Sequence, residues 1–495
     1  MRRAALYAAA LSLLIGTSGG AVARAHGFGE RYDLPLPLGL YVGGAGAAVA
    51  LSFAAVAGFS LGGEGTARYP RFNLLRTPLR VFASPWAVGV VKAFGVGMFA
   101  LYVWAGLFGT GVSIENLAPV LTWVGFWVGL AYVSAFAGNL WTLLNPWRSL
   151  FGWADALSRR TLGRPLGMAR PYPAALGAWP AVALFAVFAW VEIVDPQSAI
   201  PSRLAVLALL YTAITFAGMF WFGRDEWLRR GEVFSMVFGF MARFSPTEAR
   251  AGGKVDDYAA YAAAPPGERE WNLRWWGSGL LSVERPSASE AALLLFVLAS
   301  VTFDGLTETP AWVQFATGGQ EFFRLFTANS FVAAETFGLL MTPLVFAWAY
   351  YGVARAMARL GGGGATPGEV ALAFVYSLVP IALAYHVAHF LSFLLIQGQL
   401  LIPLVSDPLG QGWNLFGTAA YRVDIGVINA QAAWAASVAA IVIGHAAAVF
   451  ATHVYALRAF PTRRQAVRSQ YPMLALMVGY TMVSLWIVAQ PITEG

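Results

Sequence analysis

The sequence predicts an all-α bundle that crosses a membrane about ten times, and three observations predict it. Apolar residues make up 58% of the 495 residues and charged residues only 12%, about half the charge of an ordinary soluble chain. Mean hydropathy is +0.62. The apolar residues fall in long unbroken blocks, each near the ~20 residues that cross ~30 Å of hydrocarbon. In lipid only a helix or a closed barrel satisfies the backbone, and unbroken rather than alternating runs select helices.

The chain opens on a targeting pattern over residues 1–25. Arg2 and Arg3 form a basic start, Ala4 to Ile15 a short apolar core, and Ala23-Arg24-Ala25 a small-residue cleavage pattern. Cleavage after Ala25 makes His26 the new N-terminus, where a free amine and an imidazole form a chelate suited to copper. Cleavage a residue away leaves His26 a plain polar loop residue.

Ten helices follow, expected at Pro37–Gly62, Ala87–Phe108, Leu117–Ala137, Pro173–Val194, Arg203–Phe222, Ser289–Phe303, Phe331–Ala356, Ala371–Gln397, Asn429–Leu457 and Met473–Gln490. They divide into five spans within 26–222, a polar cytoplasmic loop with an interfacial helix over 223–288, and five spans within 289–495 that carry the histidine cluster. A cleaved signal puts the mature N-terminus outside, and loop charge agrees. The loops then expected inside carry Arg68, Arg71, Arg76 and Arg80, next Arg148, Arg159, Arg160, Arg164 and Arg170, and last Arg458, Arg463, Arg464 and Arg468. The opposite loops carry Glu115, Asp195, Asp304, Glu308, Glu321, Asp407 and Asp424. This is the topology expected of a multi-pass membrane protein with its mature N-terminus outside. The net charge of +7 is accounted for by those loops and calls for no nucleic acid.

Two polar stretches, Asn139–Trp153 and Asp225–Arg243, mix charge with aromatics and are expected as interfacial helices at the inner headgroups. The aromatic connection from Asp304 to Asn329 is expected to re-enter in part. With no cysteine, disulfides, thiolate metal sites and cysteine nucleophiles are excluded. Neither a phosphate-binding glycine loop nor a G-x-S-x-G elbow is present, which argues against ATP-driven transport and serine hydrolysis.

The histidines carry the functional signal. Of five, four fall inside two consecutive predicted spans: His386 and His389 in YHVAHF, His445 and His453 in GHAAAVFATH. Ionisable groups at membrane depth are costly and mark function. Residues three apart share a helix face, and consecutive helices are neighbours. His386, His389 and His445 are therefore expected to hold one divalent metal ion, zinc or copper, with His453 and His26 as lesser ligands. Asp304 or Asp424 would orient a water. The plain alternative is that each imidazole bonds a carbonyl or hydroxyl across helices, and haem b held between opposed histidines is another.

The segments HGFGERYDLPLPLGLYV, NPWRSLFGW, FDGLTETPAW, YHVAHF and YRVDIGVINAQAAWAASVAAIVIGHAAAVFATHVYAL resemble a bacterial family of membrane proteins known as fenitrothion hydrolase. The resemblance runs over most of the chain. It implies hydrolysis of organophosphorus triesters at the P–O–aryl bond, and a second membrane subunit. It carries over no catalytic residues. An uncharged aryl triester partitions into the lipid bilayer, so a bilayer-accessible pocket for an apolar small molecule is expected. Rival expectations are a copper-binding protein or transporter, a haem-b electron-transfer subunit, and a permease whose histidines relay protons.

Overall fold

The computed structural model describes residues 36–59, 69–281 and 285–493. The expected signal peptide, its cleavage site and His26 lie outside those residues. Among the described residues ten helices are long and apolar enough to cross a membrane. They are span 1 (Leu38–Ala57), span 2 (Pro85–Phe108), span 3 (Leu117–Phe136), span 4 (Ala174–Ile193), span 5 (Pro201–Phe222), span 6 (Ala288–Thr307), span 7 (Ser330–Gly361), span 8 (Pro367–Ser406), span 9 (Ala430–Ala459) and span 10 (Arg463–Gln490). Each answers one predicted block.

Where ends differ, the cause is local. Span 10 starts at Arg463 rather than Met473 because RRQAVRSQ is strongly helix-forming and its long arginines reach past the apolar zone. Span 8 starts at a capping box, Thr366 with Glu369. Its 40 residues would measure about 60 Å if straight. It is not one continuous α-helix: 3-10 turns at Val375–Leu378 and Gly398–Leu400 divide it into three α-helical pieces. Span 6 runs to Thr307, so Asp304 belongs to its last turn rather than to a loop. Span 3 is π-helical over Leu121–Gly129, a geometry often found at functional sites.

Spans 6, 8, 9 and 10 pack around one another. Without a hydrophobic drive between helices in lipid, small residues set their approach. A methyl group built on Gly444 of span 9 would stand 2.3 Å from the Ala384 Cβ of span 8. Alanine there would therefore push the two helices apart. Span 6 is the most enclosed helix after span 8, 72% against 78% buried in its most apolar window. These two carry Asp304, His386 and His389.

Two expectations need correction in the segment between spans 5 and 6. The second interfacial helix is split: Arg224–Arg230 carries the charges, while Val233–Ala242 is buried along nearly its whole length. Its VFSMVFGFMA run has no charged face to leave in water. The rest of the segment is not purely loop. Together with β1 (Phe72–Asn73) from the connection between spans 1 and 2, its β2 (Thr247–Ala251), β3 (Lys254–Val255) and β4 (Arg269–Leu273) form an antiparallel sheet in the order β1-β4-β2-β3. The connection after span 6 forms two short helices, Pro310–Gly318 and Gln320–Phe323.

Candidate functional site

The four in-span histidines are all buried, between 1% and 6% exposed, yet their rings face different partners. His386 turns toward span 3, with its ring edge-on to Trp127 at 5.7 Å and near Tyr132 at 5.8 Å. His389 turns toward span 6, where its Nε2 meets Asp304 Oδ2 at 2.7 Å. His445 turns toward span 10, with Tyr480 at 5.9 Å between ring centroids. His453 pairs its Nδ1 with Gln470 Oε1 at 3.2 Å.

The expected trio therefore does not converge. Among the described residues no group of three or more histidines, aspartates or glutamates is close enough to hold a metal ion. The reason lies in the helix geometry. Residues three apart differ by about 60° around the axis, enough here to send His386 and His389 to opposite neighbours. The backbone contact between spans 8 and 9 is made by the Ala384 and Gly444 face, not by the histidines.

What the fold does assemble is a carboxylate–imidazole pair. His389 is held in span 8, its side chain 4% exposed, and the Asp304 side chain is 25% exposed. The pair thus sits at the rim of the enclosed core, with the carboxylate its more exposed member. Glu192 of span 4 lies within electrostatic range of Asp304, and Asp304 and Glu308 lie within range of the Tyr385 hydroxyl. The Tyr385 ring stacks on His389 at 6.2 Å.

Gly305 explains how these groups come so close. A methyl group on it would stand 2.8 Å from the Tyr385 hydroxyl, 2.8 Å from Ile487 Cγ2 and 3.5 Å from His389 Nδ1. Only a residue without a Cβ lets span 6 press against the Tyr385–His389 face of span 8.

Several buried polar atoms of spans 8 and 9 lack a hydrogen-bond partner: the Tyr385 hydroxyl beside the pair, and Nε2 of His386 and of His445. Native structures leave few such atoms, and each calls for a reason. His445 is informative because its Nδ1 faces the Ile441 carbonyl at 2.8 Å. That nitrogen must carry the hydrogen, so Nε2 holds the lone pair. Tyr480 shares its hydroxyl with Thr302 Oγ1 at 2.6 Å.

No family model, curated protein or solved structure matches this chain. Function is read from the side chains.

The second water-orienting candidate, Asp424, is elsewhere. It is an exposed cap whose Oδ1 accepts from Gly426 N at 2.9 Å, with its backbone tied to Gln399. Sequence reasoning missed Glu192, Tyr385, Tyr480 and Thr302. Glu192 was findable, being an acid inside a predicted span. The tyrosines gave no signal, because most aromatics in such a chain are packing residues.

Proposed function

We propose that this protein is a membrane-embedded hydrolase of uncharged, lipid-soluble esters, with aryl phosphotriesters such as fenitrothion as the substrate class implied by the resemblance. The observation that carries the reading is the His389 Nε2 to Asp304 Oδ2 contact of 2.7 Å at the rim of the buried bundle. A carboxylate beside an imidazole fixes its orientation and stabilises the charge it gains on taking a proton.

The steps follow from the named groups. A water at the rim loses its proton to the Asp304–His389 pair as its oxygen attacks phosphorus. The P–O–aryl bond breaks and the aryloxide leaves with the bonding electrons. The Tyr385 hydroxyl, buried and without a partner, donates to the phosphoryl oxygen as negative charge builds there. The apolar walls of spans 6, 8 and 10 suit a neutral substrate arriving from the bilayer. With three imidazoles turned to three helices, the mechanism needs no shared metal ion. In a bacterial inner membrane, with the first span entering from outside, the reaction faces the outer side.

The test is hydrolysis of paraoxon-type nitrophenyl triesters in 18O-water by the purified full chain in nanodiscs, with and without any membrane protein that copurifies. The label is expected in the dialkyl phosphate, and His389→Gln is expected to lose about 10²- to 10⁴-fold in rate. Undiminished turnover in His389→Gln, or no turnover in either preparation, contradicts the reading.

A further inference from the structure

Behind the hydrolytic groups a line of buried proton-exchanging groups continues inward, and its members Tyr480, His445, His453 and Gln470 take no part in hydrolysis. Asp304 meets His389, and His389 stacks on Tyr385 at 6.2 Å. Tyr385 neighbours Tyr480 at 6.4 Å, and Tyr480 neighbours His445 at 5.9 Å. The hydroxyl of Tyr480 already exchanges a hydrogen bond with Thr302. At the inner end of this line His445 Nε2 carries a lone pair with no partner.

A second polar level lies deeper on the same two helices. His453 of span 9 faces Gln470 of span 10, and Thr452 beside it has a buried hydroxyl without a partner. On span 9 the two levels are eight residues apart, about 12 Å along the axis. Between them lie Ala448, Val449, Met473 and Met477, each at most 2% exposed. Beyond the second level, the helix ends in Arg463, Arg464 and Arg468.

We infer that the bundle conducts protons between its two faces, along Asp304, His389, Tyr385, Tyr480 and His445, then across a methionine collar to His453 and Gln470. A packing role does not explain the line. Tyrosines and histidines used only to fill space would be phenylalanines and leucines, at no cost in stranded polar atoms. Conduction along it requires each hydroxyl and imidazole to turn between its neighbours, taking a proton from one and giving it to the next, so no charge other than the proton moves. Methionine side chains are flexible and yield readily, so the collar admits protons only when it opens. This inference does not depend on the hydrolase reading, because proton conduction requires no ester.

The full chain in liposomes with a trapped pH dye, driven by a potassium gradient and valinomycin, tests it. Wild-type vesicles are expected to take up protons about tenfold faster than protein-free ones, and Tyr480→Phe and His445→Gln each to remove most of that excess. Tyr480→Phe is structurally mild, since Thr302 keeps its bond to the Leu298 carbonyl at 2.8 Å. Met477→Ser, which wets the collar, is expected to speed uptake severalfold, and Tyr471→Phe on the exposed side of span 10 to change nothing. Wild-type uptake no faster than in protein-free vesicles overturns the proposal. So does uptake unchanged by both Tyr480→Phe and His445→Gln, or left unchanged by Met477→Ser.

Discussion

Two buried polar centres sit at opposite ends of this molecule, and they are built on opposite rules. At the basic end Glu248 is fully enclosed and saturated. It receives Arg274 at 2.6 Å, Arg71 at 2.9 Å and the Tyr69 hydroxyl at 2.7 Å. Arg274 in turn caps the carbonyls of Ser245 and Ala242, which ties β2 and β4 to the end of the buried Val233–Ala242 helix. Glu232, also 0% exposed, accepts from Tyr211, Ser235, Asn145 and two backbone amides. At the acidic end the pair Asp304–His389 lies against the Tyr385 ring, whose buried hydroxyl has no hydrogen-bond partner. Saturation is what a structural network requires. Stranded donors and acceptors have to be explained by something they do.

The contrast is open to direct attack. The largest stability loss is expected from Glu248→Ala, which leaves Arg274 buried and unpaired and costs about 3–5 kcal/mol. Thermal unfolding in detergent reads this, while the rate per folded molecule stays within about twofold of wild type. The largest rate loss is expected from Asp304→Asn, about 10²-fold or more with an almost unchanged melting temperature. Tyr385→Phe is expected to slow turnover about 10- to 100-fold, at the lower end of a lost oxyanion donor. It should leave stability equal or raised, since it deletes a hydroxyl that has no partner. Chelator dialysis is expected to change the rate by less than about twofold, because among the described residues no three histidines, aspartates or glutamates come together. Asp424→Ala is expected to do least. It removes an exposed cap worth about 0.5–1 kcal/mol and leaves the rate alone.

The spans were legible because each is a local property: twenty apolar residues in a row announce themselves, and every predicted block has its helix. The sheet was not, because β1 at Phe72–Asn73 pairs with β4 at Arg269–Leu273, and two-residue strands have no periodicity to read. The buried Val233–Ala242 helix was mistaken for surface because it follows directly on Asp225, Arg229 and Arg230.

At the site, sequence reasoning found His389 and Asp304 but not that they were partners. It joined histidines by proximity along the chain, whereas spans 6 and 8 meet only in three dimensions, through the face that Gly305 opens. A glycine in the last turn of an apolar span gives no such notice when read alone.

The account turns on the Asp304–His389 pair acting as a base rather than as a packing contact. The most direct measurement is nitrophenolate release by Asp304→Asn beside wild type, both as folded full-length chain in the same nanodiscs with equal melting temperatures. A fall of about 10²-fold or more is expected. Equal rates in the two proteins would contradict it.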